Sequence, residues 1–498
     1  MSVSNRRANG VDYMKRLWGK QAVAAVIAVL MLGWIAPAPT AAASGSLPLQ
    51  STVVQANGKS FTIQWTTIDL SDPHLRVMPV TAAEGIGHVE SFATMIDHSG
   101  AVAAINGTFF DAYEQDESLR HPNGLLVESG SFVRSGDNVS LGIRTDKSAL
   151  IHRLETALTF KVKHNKSVYT VSPWGTNTYY GDEDLDQVVA YTRHFGERID
   201  RTGGMKVIIE NGRITKMTEQ VADVPEQGYV IFVGHSSNND KNLLPHLHEG
   251  DEVEVEALIV DGNSGVTESL PQSWDTAMGV GPKLVTDGQV DIDYARDGFD
   301  DPRITSTANT RSFVGVDGNG HLLMGTISAA TVADMAQALV QLGLREAMNM
   351  DGGASSGLYV EGAMKRTPGR LLSNALIVKR YRDPQVQVTV NGSFVHEFRG
   401  FIKQDVTMVP FRGIFERIGA DFHWNEQERV LTSKRGSIEL MLRPDVPEAT
   451  VNGKSIQLDQ APTIVDGHIY IPLRFVGETL GAKVGWEQGL YRATLDLK

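Results

Sequence analysis

Asn349-Met350-Asp351-Gly352-Gly353-Ala354-Ser355-Ser356-Gly357 places one carboxylate beside two glycines and two serines. Glycines let backbone N–H groups approach a ligand closely, and a carboxylate at such a turn can serve as nucleophile, base or acid. A second stretch has the same character. Ala101-Val102-Ala103-Ala104-Ile105 is a short apolar run that ends in Asn106-Gly107-Thr108-Phe109-Phe110-Asp111. Two apolar strands, each ending in a polar, glycine-containing corner, are how an active site is set on a scaffold of strands and helices.

The elements that must position these corners follow from periodicity. The apolar run Met335 to Leu344 lies just ahead of Asn349. Thr331 to Leu342 reads as the clearest helix, with Ala333, Ala336, Leu339 and Val340 on one face. A buried strand then leads to Asp351. Ser91 to Ile96 reads as a short helix ahead of the Ala101 strand. Strand-like runs recur at Phe61 to Leu70, Gly124 to Val127, Leu158 to Val162, Lys206 to Ile209, Tyr229 to Val233 and Glu252 to Val260. The fold class expected is a strand-rich α/β domain of mixed α+β type over residues 44–383, short of long helices.

Asp383-Pro384 marks a boundary. Beyond it Met408 to Ala420 lines up with Ile469 to Ala482. Each copy carries a Pro-x-Arg, then a Gly-Ala, then a strand with Trp424 or Trp486. Asn391-Gly392 and Asn452-Gly453 read as matching hairpin corners. The expectation is a small α+β domain, 385–498, built from two related units.

Composition narrows the class. The chain has 498 residues, 41% hydrophobic and 21% charged, a net charge of −13 and no cysteine. No basic surface cluster speaks for nucleic-acid binding. Arg6, Arg7, Lys15, Arg16 and Lys20 precede the apolar run Ala22 to Ala36 and the small-residue exit Ala41-Ala42-Ala43. That pattern reads as a secretory signal peptide over 1–43, its apolar run short of the about 20 residues a spanning helix needs, with an uncleaved N-terminal anchor as the alternative. Secretion without disulfides suits a bacterial envelope protein, with no membrane span left after cleavage.

Several blocks stand in the order of the phosphodiester glycosidase family, which this region resembles. They are Ala104 to Phe110, Pro122 to Val127, Gly279 to Val285, Thr310 to Asp317, Asn349 to Ser356 and Ser373 to Val378. One departure is Ile327-Ser328-Ala329-Ala330, where the family has an Asp-Gly-Arg type of turn. The C-terminal part resembles the N-terminal-like domain of copper amine oxidases, a stalk-type module for which wall-polymer contact is the expected role. It offers no copper-ligand spacing: His396, His423 and His468 are scattered.

The resemblance implies hydrolysis of a glycosyl–phosphate bond in a phosphodiester-linked glycan or sugar phosphate. Such chemistry needs a carboxylate and a grip on phosphate. Asp351 is the candidate carboxylate. Arg311 is the candidate phosphate contact, and Asn106 the candidate ligand for a sugar hydroxyl or a cation. Gly107, Gly352, Gly353, Ser355, Asn374 and Lys283 are the candidate substrate-binding residues. Asp111 and Asp317 are hard oxygen donors that suit Ca²⁺ or Mg²⁺, and no cofactor is demanded. The acidic run Asp291 to Asp301 fails the calcium-loop pattern, and His121, His194 and His235 read as exposed loop histidines. Two other readings stay open: a wall- or polysaccharide-binding protein without turnover, and a metal-dependent phosphodiesterase that cuts P–O.

Overall fold

Alternating strand patterns separated by Asn-Gly, Asp-Gly and Glu-Gly corners build a protein made mostly of antiparallel sheets. The computed structural model describes residues 45–395 and 399–497; the leader expected over 1–43 lies outside them. Among the described residues the ladders are antiparallel, except Gly175–Thr176 with Val188–Tyr191 and Gln385–Val390 with Arg492–Leu497. That is the strand-rich mixed class read from the sequence.

Three large sheets and the short pair Arg198–Ile199 with Ala222–Asp223 make the larger body. A seven-stranded sheet runs in the order Leu49–Ala56, Lys59–Ile68, Leu322–Ala330, Asn309–Asp317, Leu344–Asn349, Lys283–Thr286, Gln289–Val290. A five-stranded sheet runs Ala363–Arg366, Leu358–Val360, Ala101–Asn106, Asn374–Arg380, Leu75–Thr81. A long third sheet holds Ala149–His164 at its centre, between Asp137–Arg144 and Glu252–Asp261. Their inner faces share one core: Ile105, Leu376, Val314, Met348, Leu141 and Met278 pack together. Each such fully buried side chain contributes about 1.5–3 kcal/mol relative to exposure.

The helix before the Asp351 corner is Val332–Gln341. Thr331 starts it with a capping box: the Asp334 N–H donates to Thr331 Oγ1 at 3.1 Å, and the Thr331 N–H to Asp334 Oδ2 at 3.2 Å. Val332, Met335, Ala336, Ala338 and Leu339 are buried against the seven-stranded sheet. Gly343, at φ +90°, ends it and turns the chain into Leu344–Asn349. The helix Phe92–Ser99, capped by Ser91, delivers Ala101–Asn106 in the same way through Gly100 at φ +66°.

Residues 45–498 form one compact unit. In its C-terminal part the strand Val406–Pro410 leads to the helix Phe411–Arg417 and the strand Asp421–Asn425. Farther on, His468–Pro472 leads to Leu473–Thr479 and Ala482–Glu487. Contact with the larger body is made through a buried charge cluster. Asp275 accepts from Arg399 and lies 3.9 Å from Arg76, and the Arg492 Nη2 donates to the Thr145 carbonyl at 3.1 Å.

Candidate active site

The two corners meet although they end strands of different sheets. Asn106 joins them. Its Nδ2 donates to the Asp351 carbonyl at 2.7 Å, and its Oδ1 accepts from the Gly357 N–H at 3.0 Å. The side chain is fully buried. Asn374 braces the same corner from the neighbouring strand. Its Oδ1 accepts from the Thr108 N–H at 2.9 Å, and its Nδ2 donates to the Thr108 and Ser373 hydroxyls at 2.8 and 2.7 Å. Gly107 is required there, because a Cβ would drive into Asn374 Oδ1. Asn106 and Asn374 therefore hold the corner together, with their amides committed to the protein.

Asp351 follows Asn349 at the mouth of the strand. Met350 N–H donates to the Ser312 carbonyl at 2.9 Å, which locks the corner to the adjacent Arg311 strand. Asp351 Oδ1 accepts from the Gly352 N–H at 2.8 Å. Burial pushes the Asp351 carboxyl up from its ordinary 3.8 to about 6, although the Ser355 hydroxyl, the Gly352 N–H and the charges of Arg370 and Arg311 act the other way. A carboxyl near 6 is both a competent base and a competent acid close to neutral pH. Gly353 sits at φ +63°, and Ser355 is buried beneath the turn.

Arg311 is buried and largely committed. Nε donates to the Ala330 carbonyl at 3.3 Å, and Nη2 to the carbonyls of Arg303, Ile304 and Thr307 at 3.0, 3.2 and 2.5 Å. Only Nη1 is left over, on the side of Gly352, where a Cβ on that glycine would sit 3.5 Å from it. The stretch Ile327–Ala330 is not a turn. It continues the strand Leu322–Ala330, and its last carbonyl receives Arg311.

One further cation reaches this mouth and another lies beside the same tyrosine, and the sequence reading passed over both. Arg370 acts on the Asp351 charge, and its guanidinium lies 5.2 Å from the Tyr113 ring centroid. Arg303, paired with Asp301, lies 5.9 Å from the same ring. The bond and charge of Arg370 lower the Tyr113 phenol below its ordinary value. Tyr113 is 74% exposed. Arginines flanking an exposed tyrosine carry no spacing motif; the one available hint is Pro368-Gly369-Arg370, a turn four residues before the Asn374 strand.

Other expectations need correction. Lys283 does not face the Asp351 mouth. Its Nζ pairs with Glu346 at 2.9 Å, toward the opposite end of the Leu344–Asn349 strand, and both groups are largely buried. Asp317 closes the far end of the Asn309–Asp317 strand, where its carboxylate accepts from the Asn319 and His321 N–H groups and from His321 Nδ1. At about 3.3 Å per residue, that end is about 20 Å from Arg311. Asp111 is exposed and accepts from Asn123 Nδ2 at 3.2 Å. In the acidic run, Asp291 and Asp297 pair with Arg296. His121 is not an exposed loop residue: it is 5% exposed, its ring parallel to those of Tyr179 and Phe195, and burial pushes it down to about 4.

The corner thus sets a carboxyl shifted to about 6 at a strand end, with the charges of Arg370 and Arg311 acting on it. Residues 203–379 match the family model described as phosphodiester glycosidase, and residues 389–495 the one described as copper amine oxidase N-terminal domain. Both matches fall inside the stretches that resemble these families, the first over the C-terminal part of its stretch only. The glycosidase match includes Arg311, Asp351 to Ser355, Arg370 and Asn374; the Asn106 block lies ahead of it.

The fold is similar to the crystal structure of a hypothetical protein from Synechocystis, at a TM-score of 0.56 and 20% identity over 68% of this chain and 62% of that one. The catalytic domain of zebrafish N-acetylglucosamine-1-phosphodiester alpha-N-acetylglucosaminidase, auto-inhibited by its pro-peptide, is more remote. It matches at a TM-score of 0.35 and 13% identity over 67% of this chain and 83% of that chain, too remote to bear on the fold. A curated relative described as a protease inhibitor, from Brevibacillus choshinensis, is 27% identical over 101 residues; these are 20% of this chain and 31% of that relative's length.

Proposed function

We propose that this protein hydrolyses the glycosyl–phosphate bond of a sugar-1-phosphodiester, releasing free sugar and a phosphomonoester. The observation that carries the reading is the Asp351 carboxyl, half-buried, shifted to about 6 and acted on by both Arg311 and Arg370. In this reading water attacks the anomeric carbon and gives its proton to ionised Asp351. The C–O bond breaks, and its electron pair leaves with the phosphate oxygen. A phosphomonoester is a good leaving group, so a single tuned carboxyl is sufficient for the proton transfer. Arg311 Nη1 and Arg370 offer charge-assisted bonds to the phosphate oxygens. Tyr113 gathers Arg370 and Arg303 at the rim and presents an aromatic ring to the substrate.

The C-terminal part fits a stalk made of two related units. Two strand–helix–strand passages support this, each with a proline as helix N-cap: Pro410 at φ −66° and Pro472 at φ −63°. With the leader over 1–43, the reading is a secreted bacterial envelope enzyme whose stalk meets wall polymer and whose substrates are phosphodiester-linked glycans.

The test is turnover of an N-acetylglucosamine-1-phosphodiester by the purified chain, run in ¹⁸O water with and without EDTA. Free sugar carrying the label, lost in Asp351→Asn, supports C–O hydrolysis. Label in the phosphate would replace this reading by P–O cleavage. Loss of turnover in EDTA would bring Ca²⁺ or Mg²⁺ into the site. No product from a panel of sugar phosphodiesters, with glycan retained on pull-down, would replace it by a binding role.

A further inference from the structure

A cluster at the end of the long strand Ala149–His164 has no part in the hydrolytic reading. It lies in the sheet of that strand, whereas Asp351 follows the seven-stranded one. His164 is the last residue of the strand. Its partner strand Glu252–Asp261 begins directly after Asp251, and Lys163 pairs with Glu252. The chain from Leu244 to Asp251 returns over this end. His248 thereby stacks on His164, with ring centroids 4.2 Å apart and planes 30° apart.

Asp251 lies against both rings. Its Oδ1 is 2.7 Å from His164 Nδ1, and its Oδ2 is 3.4 Å from His248 Nδ1 and accepts from the His248 backbone N–H at 3.0 Å. The carboxylate is 7% exposed, whereas the two imidazoles are about half open to solvent. Burial disfavours the Asp251 charge, but the bonds from His164 and His248 outweigh it and hold the carboxyl below its ordinary value. Two imidazole nitrogens and an ionised carboxylate oxygen, one from each residue, all lie within 4.8 Å of one another.

This donor set is that of a borderline divalent ion, not of Ca²⁺ or Mg²⁺. Tetrahedral bonds of about 2.0–2.1 Å place neighbouring donors about 3.3 Å apart. The His248–Asp251 separation of 3.4 Å already meets that spacing. The 2.7 Å contact of His164 Nδ1 is to the other oxygen, Oδ1, so this ring has to turn toward Oδ2 for the three residues to share one ion, which a half-exposed ring permits. The open side of the two rings leaves water to complete the shell.

We propose that His164, His248 and Asp251 form a binding site for a divalent cation of the zinc class. To bind it, each imidazole carries its proton on Nε2 and turns the Nδ1 lone pair toward the metal. The ion then ties the segment Leu244–Asp251 to the end of the Ala149–His164 strand, a structural staple separate from turnover.

The experiment uses the full chain without a histidine tag, stripped with EDTA and titrated calorimetrically with zinc chloride at pH 7.5. One ion per chain is expected at micromolar zinc, with a rise in melting temperature. His164→Gln and His248→Gln should each weaken binding more than about 10-fold, since even loss of an outer-shell partner costs that much. His235→Gln, at a different strand end, should leave the affinity unchanged, and turnover by the wild type should survive the stripping. Absence of binding at micromolar zinc, or equal affinity in wild type, His164→Gln and His248→Gln, overturns the proposal. Both histidine side chains are about half exposed, so circular dichroism of the variants is expected to match the wild type and keep the comparison valid.

Discussion

Replacing Asp351 by asparagine should stop turnover and, at neutral pH, make the protein more stable. The folded protein raises this carboxyl from 3.8 to about 6. A raised carboxyl pKa means that the folded state prefers the neutral form, so ionisation costs stability. The cost is absent below pH 3.8, grows between pH 3.8 and 6, and is constant above. At about 1.36 kcal/mol per pKa unit it comes to about 3 kcal/mol at pH 7, an upper value because the carboxyl keeps some contact with water. Asparagine is neutral at every pH and keeps an oxygen for the Gly352 N–H. With an unfolding entropy of about 2.1 cal/mol/K per residue, the unit of residues 45–498 gains about 3 °C in melting temperature at pH 7.5. At pH 4 the gain should shrink to under about 1 °C on the same scale. Scanning calorimetry of both proteins at the two pH values reads this directly. An equal gain at both values, or a loss at pH 7.5, would refute the assignment of a strained carboxylate. The wild-type kcat/KM should in turn fall about tenfold per unit below pH 6 as the base is protonated.

Further outcomes follow from the same geometry. Arg370→Ala removes a cation from the Asp351 mouth and should lower kcat/KM on a sugar phosphodiester by about 10- to 100-fold, the worth of one charge-assisted bond; unchanged kinetics would free Arg370 of any phosphate role. Asn106→Ala leaves the Asp351 carbonyl and the Gly357 N–H unpaired, at about 1–3 kcal/mol each. A positioning role predicts a fall in kcat and melting temperature with KM held, whereas a rise in KM alone would mark Asn106 as a substrate ligand. Burial alone would raise Asp275, but Arg399, Arg76 and Lys147 outweigh it and hold its carboxyl far below the ordinary value. That stabilisation is present above pH 3.8 and is lost as the pH falls further, so Asp275→Asn should cost about 3–5 kcal/mol at pH 7 in denaturant titration and little in strong acid. Thr331→Ala deletes the cap of the Val332–Gln341 helix and should cost about 1 kcal/mol, with turnover retained at permissive temperature.

Local elements were readable because local chemistry specifies them. Thr331 and Asp334 mark the start of the helix and the alternation around Glu252 to Val260 marks a strand, whereas the apolar spacing marks the helix face only in part: Ala336 and Leu339 are buried, but Ala333 is exposed and Val332, Met335 and Ala338 line the buried side instead. The Asn-Gly corners at Asn391 and Asn452 fold as hairpins, both asparagines at positive φ. Asn106-Gly107 carries the same dipeptide and does something else: it ends a strand in the ordinary region and reaches across the fold. Nothing in a dipeptide distinguishes the two, because the difference lies in a partner 245 residues away. The arginines show the same limit. Arg311 and Arg370 have the same fork of donors, but carbonyls from the Arg303 to Thr307 segment occupy most of one fork, whereas the other lies at the rim against Tyr113. Lys283 looked like a ligand because it stands in a family-like block, yet the register of its strand aims it at Glu346.

The site's design rests on a conflict that the fold has to resolve. A carboxyl near 6 is useful only where water is scarce, and scarcity of water is what makes its charge costly. The corner therefore cannot rely on Asp351 for its own stability. Its shape is held by neutral groups instead: the Asn106 amide across two sheets, the Asn374 amide under Gly107, and backbone bonds to the Arg311 strand. Neutral amides hold that geometry at any pH between the titrations of the nearby acids and bases, so protonation of Asp351 leaves the corner closed. A corner built from ion pairs would have coupled catalysis to unfolding in the pH range where the carboxyl has to work.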